Sequence, residues 1–322
     1  MPEYDVAILG GGAAGLSAAL VLSRARRAIV VIDAGAPRNA PAAHMHGYLS
    51  RDGMPPAELL ATGRHEVAHY GGQFVAGTAT SLVPDGDAGY WVLLADGQRL
   101  RARQVLVTTG LRDELPDVPG LRERWARDVL HCPYCHGHEV ADRPLGVLGT
   151  GPESVRYAQI VRQWSDDLTY FAPVGTLSAT DRAALAARAI TVVEAGVDRL
   201  VVDDDRLVGV QLDDGCVVAI DALFVPPRFV PTNELLLTAG CAVDHTGWVS
   251  VDTTGRTSVP GIWAAGNVVD PRAQVITAAG AGSAAAIAVN ADLVEDDVRA
   301  AVRELDHGLL RPPTTPNPKE SV

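Results

Sequence analysis

The sequence is poor in positive charge and contains no run of Lys or Arg. Its 322 residues carry 27 Lys and Arg against 39 Asp and Glu, a formal net charge of −12 at pH 7. Nucleic acids and anionic membranes repel such a surface, so we expect neither as a partner. Aromatic residues are also scarce, at 5%, whereas glycine reaches 32 residues. Many glycines with few aromatics are typical of an α/β protein with numerous tight turns.

Long uninterrupted apolar runs are lacking as well. Near the N-terminus, Glu3 and Asp5 stand where a secretory leader would be basic, and glycines soon break the apolar run. Residues 275–294 reach membrane-spanning length, but small or polar residues interrupt them: Gly280, Gly282, Ser283, Asn290 and Asp292. This composition predicts a buried helix rather than a membrane span. We therefore expect a soluble, cytoplasmic protein.

There are only four cysteines, too few for a disulfide framework in a chain expected to be cytoplasmic. Two of them, Cys132 and Cys135, are separated by two residues, a spacing typical of a redox-active or metal-binding pair. Pro133 fits the first turn of a helix, which would place Cys132 where the helix dipole favours a thiolate. His136 and His138 follow at once and are candidates for proton transfer to and from a thiol.

Three other interpretations of this pair stay open. The cysteines could be inert core residues, or could bind zinc together with His136 or His138, although four ligands crowd poorly into seven residues. They could also form a glutaredoxin-type site, but more than 100 residues precede the pair, whereas a glutaredoxin is a small domain. We favour redox chemistry without a metal. Cys216 and Cys241 lie alone in apolar segments, and we expect both in the core.

The N-terminal segment carries a dinucleotide-binding pattern. A predicted strand over 5–9 leads into the turn Gly10–Gly15, and a predicted helix over 13–27 precedes a second strand over 28–32. Gly10 permits the tight turn, Gly12 permits a pyrophosphate to approach the backbone, and Gly15 permits close helix–strand packing. Ala13 and Ala14 complete the motif at the start of the helix, where phosphate binds. Asp33 then follows the second strand, placed to accept hydrogen bonds from a ribose.

A second unit of the same kind follows the cysteine pair. It consists of a predicted strand over 145–148, a turn over 149–151, a helix over 153–164 and a strand over 168–171. Short strands are predicted over 73–107, and a hairpin joins 206–212 to 217–221. Prolines near 116–119 and 226–231 suggest two domain crossings. We predict an α/β fold of two Rossmann-like three-layer nucleotide-binding domains, the second (115–230) inserted into the first (1–114 and 231–306), with a mobile Pro-rich tail over 307–322.

The layout resembles the low-molecular-weight thioredoxin reductases over nearly all of residues 4–295. The shared features are the first glycine turn, a CxxC just before a second turn, the segment Thr257–Gly266 reading TSVPGIWAAG, and Ala273-Gln274 ahead of an Ala/Gly-rich helix. The resemblance implies an FAD cofactor and a homodimer. It places near the flavin a set of residues from distant segments: Arg38, His46, Thr109, Gly110, Gly266, Asn267, Gln274 and Val275. Asn267 replaces the family's aspartate at the ribityl chain.

The cysteine motif departs from the reductases, which carry an acid after the second cysteine. His136 stands there, and the segment is similar to the branch of oxidases that close disulfides in small natural products, such as the gliotoxin and holomycin oxidases. The resemblance implies that Cys132 meets the substrate, Cys135 faces the flavin, and His136, with His138 as the alternative, transfers protons. O2 would take the electrons as H2O2. Alternatives are a reductase of thioredoxin-like proteins, driven by NADPH or by a donor such as ferredoxin, and a flavin-containing redox sensor without turnover.

The second nucleotide motif departs furthest from the family. Ser154 stands in the place of the third glycine, and the arginine-rich motif that pairs with the 2′-phosphate of NADPH is missing from 171–182. A phosphate without a cationic partner binds poorly. Arg156 and Arg162 on the following helix could compensate. The sequence therefore makes NADPH doubtful, whereas FAD is expected.

Overall fold

A computed structural model describes residues 3–86 and 89–306 of the chain. The predicted mobile tail over 307–322 lies outside the described residues. Within them, the helices are α1 (Ala13–Arg24), α2 (Pro56–His69), α3 (Pro133–His136), α4 (Ser154–Val161), α5 (Ala179–Ala186), α6 (Glu234–Thr238) and α7 (Val275–Asp306). Short 3-10 turns lie at His138–Val140 and Gly266–Val268.

The described strands run through the whole chain. They are β1 (Glu3–Leu9), β2 (Ile29–Asp33), β3 (Gln73–Ala76), β4 (Ala79–Pro84), β5 (Tyr90–Leu94), β6 (Arg99–Val107), β7 (Leu111–Glu114), β8 (Val129–Leu130), β9 (Leu145–Leu148), β10 (Leu168–Ala172), β11 (Thr191–Glu194), β12 (Val197–Asp203), β13 (Arg206–Leu212), β14 (Val217–Val218), β15 (Ala222–Phe224), β16 (Arg228–Pro231) and β17 (Ile262–Ala264).

The first sheet is built around parallel strands in the order β3-β2-β1-β6, with β17 also paired to β6. Strand β6 also pairs with β5, and β5 pairs with β4, both in antiparallel orientation. One face of the parallel strands packs against α1 and α7, and the other packs against β4, β5 and α6. Both faces are therefore covered, which explains the nearly continuous apolar sequence of β1 and β2.

The second sheet has five parallel strands in the order β11-β10-β9-β15-β8. Helices α4 and α5 cover one face. The antiparallel strands β12 and β13, which pair with β14 in a separate sheet, cover the other. The predicted α/β class with two three-layer Rossmann-like units is confirmed.

The two chain crossings between these sheets lie side by side. Strand β7 leaves the first sheet, β16 returns to it, and the two pair in antiparallel register, with Leu111 opposite Pro231 and Glu114 opposite Arg228. The predicted boundaries at 114/115 and 230/231 fall within or next to this two-stranded ribbon. We retain them as a proposal for the division of the chain.

Several predicted elements have different bounds in the structure. The helix predicted over 13–27 ends at Arg24, because Arg26 adopts a left-handed backbone conformation (φ 63°). The helix predicted over 153–164 covers only Ser154–Val161, and the hairpin arm predicted over 217–221 is a two-residue strand. The buried helix predicted over 275–294 continues to Asp306. Periodicity located these elements but could not show where tertiary contacts end them.

Helix α7 is long and apolar enough to cross a membrane by length and composition, and among the described helices it alone meets both criteria. Its small residues nevertheless face α1: Ala278, Ala279, Gly282, Ala285 and Ala286 are buried. A Cβ on Gly282 would lie 2.0 Å from the carbonyl oxygen of Ala14, so the two helices touch at backbone distance. The prediction of a helix packed within the protein agrees with this contact.

We expect Gly282→Ala to lower the free energy of unfolding by about 1–3 kcal/mol, because the added methyl group must push α7 away from α1. Gly280→Ala is a matched control two residues away on the same helix, since its Cβ meets nothing within 4 Å. That control should be neutral or stabilise by up to ~1 kcal/mol through helix propensity. Urea denaturation followed by circular dichroism measures both. Equal effects would contradict the close packing of α1 and α7.

Candidate active site

The first glycine turn forms an open cradle at the start of α1. Gly10 has φ +109°, and a Cβ on Gly15 would lie 1.9 Å from the carbonyl oxygen of Gly10. These two positions therefore accept only glycine. A Cβ on Gly12, in contrast, meets nothing within 4 Å, so its open side faces space that a ligand can occupy. The exposed N–H groups of this turn and the dipole of α1 favour phosphate there.

Asp33 lies beside this turn at the end of β2. One carboxylate oxygen accepts a hydrogen bond from the Gly11 N–H at 3.0 Å, and the other is paired with Arg64 on α2. The turn and the carboxylate are thus joined before any ligand binds. No sequence pattern marks Arg64, because only the packing of α2 brings it close to Asp33.

A single cavity of about 1680 Å³ connects the glycine turn to the cysteine pair. It is larger than the 300–1,000 Å³ typical of small-molecule pockets, which leaves room for a dinucleotide and a small substrate together. Most residues predicted for the flavin line it: Gly10, Gly12, Ala13, Ala14, Asp33, Arg38, His46, Thr109, Gly110, Asn267, Gln274 and Val275. Gly15 and Gly266 do not line it and act through packing, and a Cβ on Gly266 would lie 2.9 Å from that of Ala14.

Asn267 shows how the replacement of aspartate is accommodated. Its Nδ2 donates to the carbonyl oxygens of Asp270 and Ala273, both at 2.9 Å. The two N–H groups are therefore used within the protein, and the side-chain oxygen remains as an acceptor. An acceptor suits a ribityl hydroxyl, so the residues present fit FAD.

The cysteine pair lines the same cavity. Cys132 and Cys135 form a disulfide, with Cys132 capping the one-turn helix α3 and Pro133 at its first position, as predicted. Gly137 ends this turn against Trp164, where a Cβ would lie 2.7 Å from the indole ring. Tyr134, between the two cysteines, is 65% exposed and meets the edge of the same indole. The fold thus holds both sulfurs at the cavity wall.

The two predicted proton-transfer histidines have different environments. His136 is partly buried and lines the cavity, and burial lowers its pKa, with the Glu139 carboxylate opposing the shift. His138 is exposed and does not line the cavity. His46, in the loop between β2 and α2, also reaches this region. Its Nδ1 lies 3.3 Å from the Asp52 carboxylate, and its Nε2 lies 3.4 Å from the Glu139 carboxylate. The geometry therefore favours His136 over His138 for proton transfer.

Arg38 lies at the cavity wall but is already engaged. It forms two hydrogen bonds with Asp113 of β7, at 2.7 and 2.8 Å, and its guanidinium lies 5.2 Å from the centre of the Phe229 ring on β16. This residue therefore links the loop after β2 to the crossing ribbon. A contact of Arg38 with FAD, which the resemblance implies, stays a prediction.

Sequence reasoning missed the aromatic wall beside Cys132. Trp125, His131, Tyr157 and Phe229 all line the cavity there. They come from four different segments and lack a recognisable spacing, so only the folded chain brings them together. Burial lowers the pKa of His131 to about 4.

The second glycine turn, by contrast, is filled by its own side chain. The Ser154 hydroxyl accepts hydrogen bonds from the N–H groups of Thr150 (3.0 Å) and Gly151 (3.1 Å). These are the groups that would receive a pyrophosphate. Of the two arginines that could compensate, Arg162 donates to Ser165 and Arg188 carbonyls and pairs with Asp166. Arg156 is exposed.

The two lone cysteines differ from each other. Cys241 is buried as expected, 6% exposed, with its thiol 3.5 Å from the Thr257 hydroxyl. The expectation for Cys216 is wrong, because it is exposed in the turn between β13 and β14, where its N–H bonds to the Asp214 carboxylate at 2.8 Å. Its apolar neighbours belong to the strand, whereas the residue itself closes the turn. Among the described residues, no group of three or more candidate ligands could hold a metal ion.

A disulfide-forming cysteine pair that shares one cavity with an open dinucleotide cradle defines a disulfide oxidoreductase of the flavin-dependent kind. The family model described as pyridine nucleotide-disulphide oxidoreductase matches residues 4–283, and the chain belongs to this family. The resemblance to thioredoxin reductases is thereby confirmed, with FAD as the family's cofactor.

Individual relatives agree with this assignment. Thioredoxin reductase sirT of Leptosphaeria maculans is 30% identical over 319 residues, covering 92% of this chain and 96% of the relative. The crystal structure of HlmI superimposes with a TM-score of 0.93 at 54% identity, covering 96% of this chain and 98% of that one. Thioredoxin reductase from Streptococcus pyogenes superimposes with a TM-score of 0.83 at 25% identity, covering 91% and 99%.

We expect Gly12→Ala to abolish or strongly weaken FAD retention without unfolding the protein, because the new methyl group projects into the space reserved for the pyrophosphate. Gly151→Ala, at the equivalent place in the second turn, is the matched control, since its Cβ also meets nothing within 4 Å. The ratio of flavin to protein absorbance after purification, with circular dichroism as a check on folding, measures the effect. Loss of flavin in the Gly151 variant, or full retention in the Gly12 variant, would refute the assignment of the two turns.

Proposed function

We propose that this flavin disulfide oxidoreductase is a dithiol oxidase, which closes a disulfide in a small-molecule or peptide dithiol and uses O2 as the electron acceptor, with H2O2 as product. The observation that carries the proposal is the contrast between the two glycine turns. The first is open onto the cavity that holds the cysteine pair, whereas Ser154 occupies the N–H groups of the second. Without a nicotinamide donor, the thiol substrate that reaches the cysteine pair is itself a source of electrons.

The chain's own groups account for the exchange steps. A substrate thiolate attacks the Cys132 sulfur, and the Cys132–Cys135 bond breaks to release the Cys135 thiolate. The second substrate thiol then attacks the substrate sulfur of this mixed disulfide, which releases Cys132 and the cyclic disulfide. Two electrons and two protons have left the substrate. Bound FAD supplies the remaining chemistry, because it accepts the two electrons of the reduced pair and O2 then takes them as H2O2.

His136 is the proposed proton acceptor for these thiols. Its ring lines the cavity next to Cys135, and its lowered pKa keeps it neutral near pH 7, ready to take a proton. His138 is exposed on the outer side of the same turn and is less suited to the role.

The second candidate is a reductase of thioredoxin-like proteins, fed by NADPH or by another donor such as ferredoxin. The relatives named thioredoxin reductase support it. Against it stand the Ser154 hydroxyl in the second turn and the pairing with Glu194 of Arg182, the arginine in the segment that follows β10. A flavin-containing redox sensor without turnover is the third possibility, and steady oxygen uptake would exclude it.

Two further properties belong to this proposal. A homodimer is supported by an apolar stripe on the exposed side of α7, formed by Ile287, Val294, Val298, Val302 and Leu305, each at least 41% exposed. Sedimentation of the holoenzyme tests it. A cytoplasmic location is supported by the exposed unpaired thiol of Cys216, which an oxidising compartment would tolerate poorly.

Mixing the oxidised holoenzyme with dithiothreitol, without oxygen, should bleach the flavin absorbance, and admitting oxygen should restore it with one H2O2 per disulfide formed. NADPH and NADH should leave the flavin oxidised. Cys132→Ser and Cys135→Ser should each lower dithiol turnover by at least about 10³-fold, because neither alone can close the disulfide. Cys216→Ser is the control for thiol replacement. Rapid bleaching by NADPH would overturn the oxidase proposal in favour of the reductase.

The rate of flavin reduction by dithiol should fall as the pH drops through the pKa of His136, because the imidazolium cannot accept a proton. Since burial places this pKa below the usual 6.5, the acidic limb should lie below pH 6.5. His136→Gln should lose this limb and slow the reaction by about 10²-fold or more. His138→Gln, in the same turn, should keep the limb. Stopped-flow measurements of flavin reduction from pH 5 to 8 test this prediction. An unchanged acidic limb in the His136 variant would contradict the assignment of proton transfer to His136.

A further inference from the structure

The cysteine pair and the first glycine turn are attached to different sheets. The segment over 132–140, called here the cysteine turn, follows β8 of the second sheet, whereas the first glycine turn follows β1 of the first sheet. The chain passes between the two sheets through the ribbon of β7 and β16. Because a two-stranded ribbon is only marginally stable by itself, side-chain contacts between the two parts help to determine how the cysteine turn faces the cavity.

The loop over 34–55, between β2 and α2, provides such a contact. Its His46 places Nε2 3.4 Å from the Glu139 carboxylate, a distance at which a protonated imidazole and a carboxylate form an ion pair. Glu139 lies in the 3-10 turn directly after α3, and its neighbour Val140 is buried. The contact therefore joins a loop of the first sheet to the segment that carries His136.

His46 is held in place by its own loop. The Met45 N–H donates to the Met54 carbonyl oxygen at 3.0 Å, and the Met45 side chain is buried. Asp52 accepts a hydrogen bond from the Gly47 N–H at 2.8 Å with one carboxylate oxygen, and its other oxygen lies 3.3 Å from Nδ1 of His46. The imidazole thus has a carboxylate at each nitrogen, one from its own loop and one from the cysteine turn. Only the protonated ring can donate to both.

The loop and the cysteine turn do not pack closely against each other. A small cavity of about 130 Å³ remains between them. Its charged or titratable lining groups come from both sides: His44, His46, Arg127, His136 and Glu139. Apolar packing is therefore incomplete at this junction, and the polar contact between His46 and Glu139 carries more of the connection.

The same two residues act on the His136 ring in opposite directions. Burial has the largest effect and lowers the pKa of His136, the Glu139 carboxylate opposes this shift, and His46 adds to it. His131 and His138 are the other histidines on the same segment, and His131 is uncharged at neutral pH because burial lowers its pKa to about 4. A residue that served only to support the fold would not act on His136 in this way.

We propose that His46 and Glu139 are positioning residues, whose contact keeps the cysteine turn directed into the cavity that receives the flavin. This inference goes beyond the proposed function, because a dithiol oxidase and a disulfide reductase both need the cysteine pair next to bound FAD. The two side chains are 23% and 45% exposed, so their contact changes the population of the productive placement by roughly two- to fivefold. It is therefore not required for folding.

His46→Gln and Glu139→Gln should each slow flavin reduction by dithiothreitol roughly two- to fivefold at pH 7 without oxygen. The double variant should be no slower than either single variant, because the contact is lost only once. Glu153→Gln, an exposed glutamate before α4, is the control and should keep the wild-type rate. Stopped-flow absorbance of the holoenzyme measures these rates, and flavin content and circular dichroism confirm that each variant is loaded and folded.

Two further measurements distinguish positioning from a general loss of stability. In hydrogen–deuterium exchange of the oxidised holoenzyme, Glu139→Gln should speed amide exchange over 45–54, and His46→Gln should speed it over 138–140, each on the far side of the contact. The acidic limb of flavin reduction should move to lower pH in Glu139→Gln, which loses an anion that favours protonated His136. It should move to higher pH in His46→Gln, which loses a neighbouring cation.

Four results would overturn the proposal. They are unchanged rates and exchange in both single variants, additive effects in the double variant, acidic limbs that move in the same direction, and loss of flavin in His46→Gln alone, which would assign His46 to the cofactor. Failure of the oxidase function is a separate outcome. If dithiothreitol does not reduce the wild-type flavin, the oxidase proposal falls, and amide exchange across the contact still decides whether His46 and Glu139 join the two segments.

Discussion

The close approach of three segments at Ala14 is the constraint on which the site depends. Gly282 of α7 leaves no room for a side chain next to the Ala14 carbonyl, and Gly266 packs against the Ala14 methyl group. The start of α1, the turn after β17 and the first part of α7 are thereby held at backbone distance from one another. Asn267 and Val275 belong to these segments and line the cavity. The contact at Ala14 therefore holds the first glycine turn, the Asn267 side-chain oxygen and the N-terminus of α7 around one cavity. Small residues at this point are a geometric requirement, and helix propensity plays little part in their selection.

The chain contains two copies of the strand–turn–helix–strand unit. One side chain, that of Ser154, distinguishes the second glycine turn from the first. In the first, Gly15 packs against Gly10 and has no side chain that could bond to the N–H groups of the turn, of which that of Gly11 donates to Asp33. In the second, the equivalent position carries Ser154, and its hydroxyl satisfies two of those groups internally. A phosphate would have to displace two formed hydrogen bonds to bind there. The second unit keeps its fold because its sheet and helices are stabilised by apolar packing. Serine in place of the third glycine of the turn does not alter that packing.

Local sequence patterns were sufficient for the parts of the molecule that local physics determines. The glycine turn, the helix start at Pro133 and the two Rossmann-like units all follow from backbone sterics and periodicity, which act over a few residues. Arg64, Trp125 and Phe229 could not be found in this way, since their roles come from segments that are distant along the chain. The error at Cys216 has the same origin, because an apolar neighbourhood in sequence does not reveal that the residue closes a hairpin. Where a side chain's partner lies far away in the sequence, composition alone does not identify it.

Three histidines within eight residues show how position alone separates chemical roles. His138 is exposed and does not line the cavity. His136 is partly withdrawn from water, and this burial lowers its pKa, with the Glu139 carboxylate opposing the shift. His131 is enclosed by aromatic rings, and the loss of solvation there exceeds any help from Asp113, so protonation is strongly disfavoured. Proton transfer needs the intermediate case, because a base must hold a proton and also release it near the working pH.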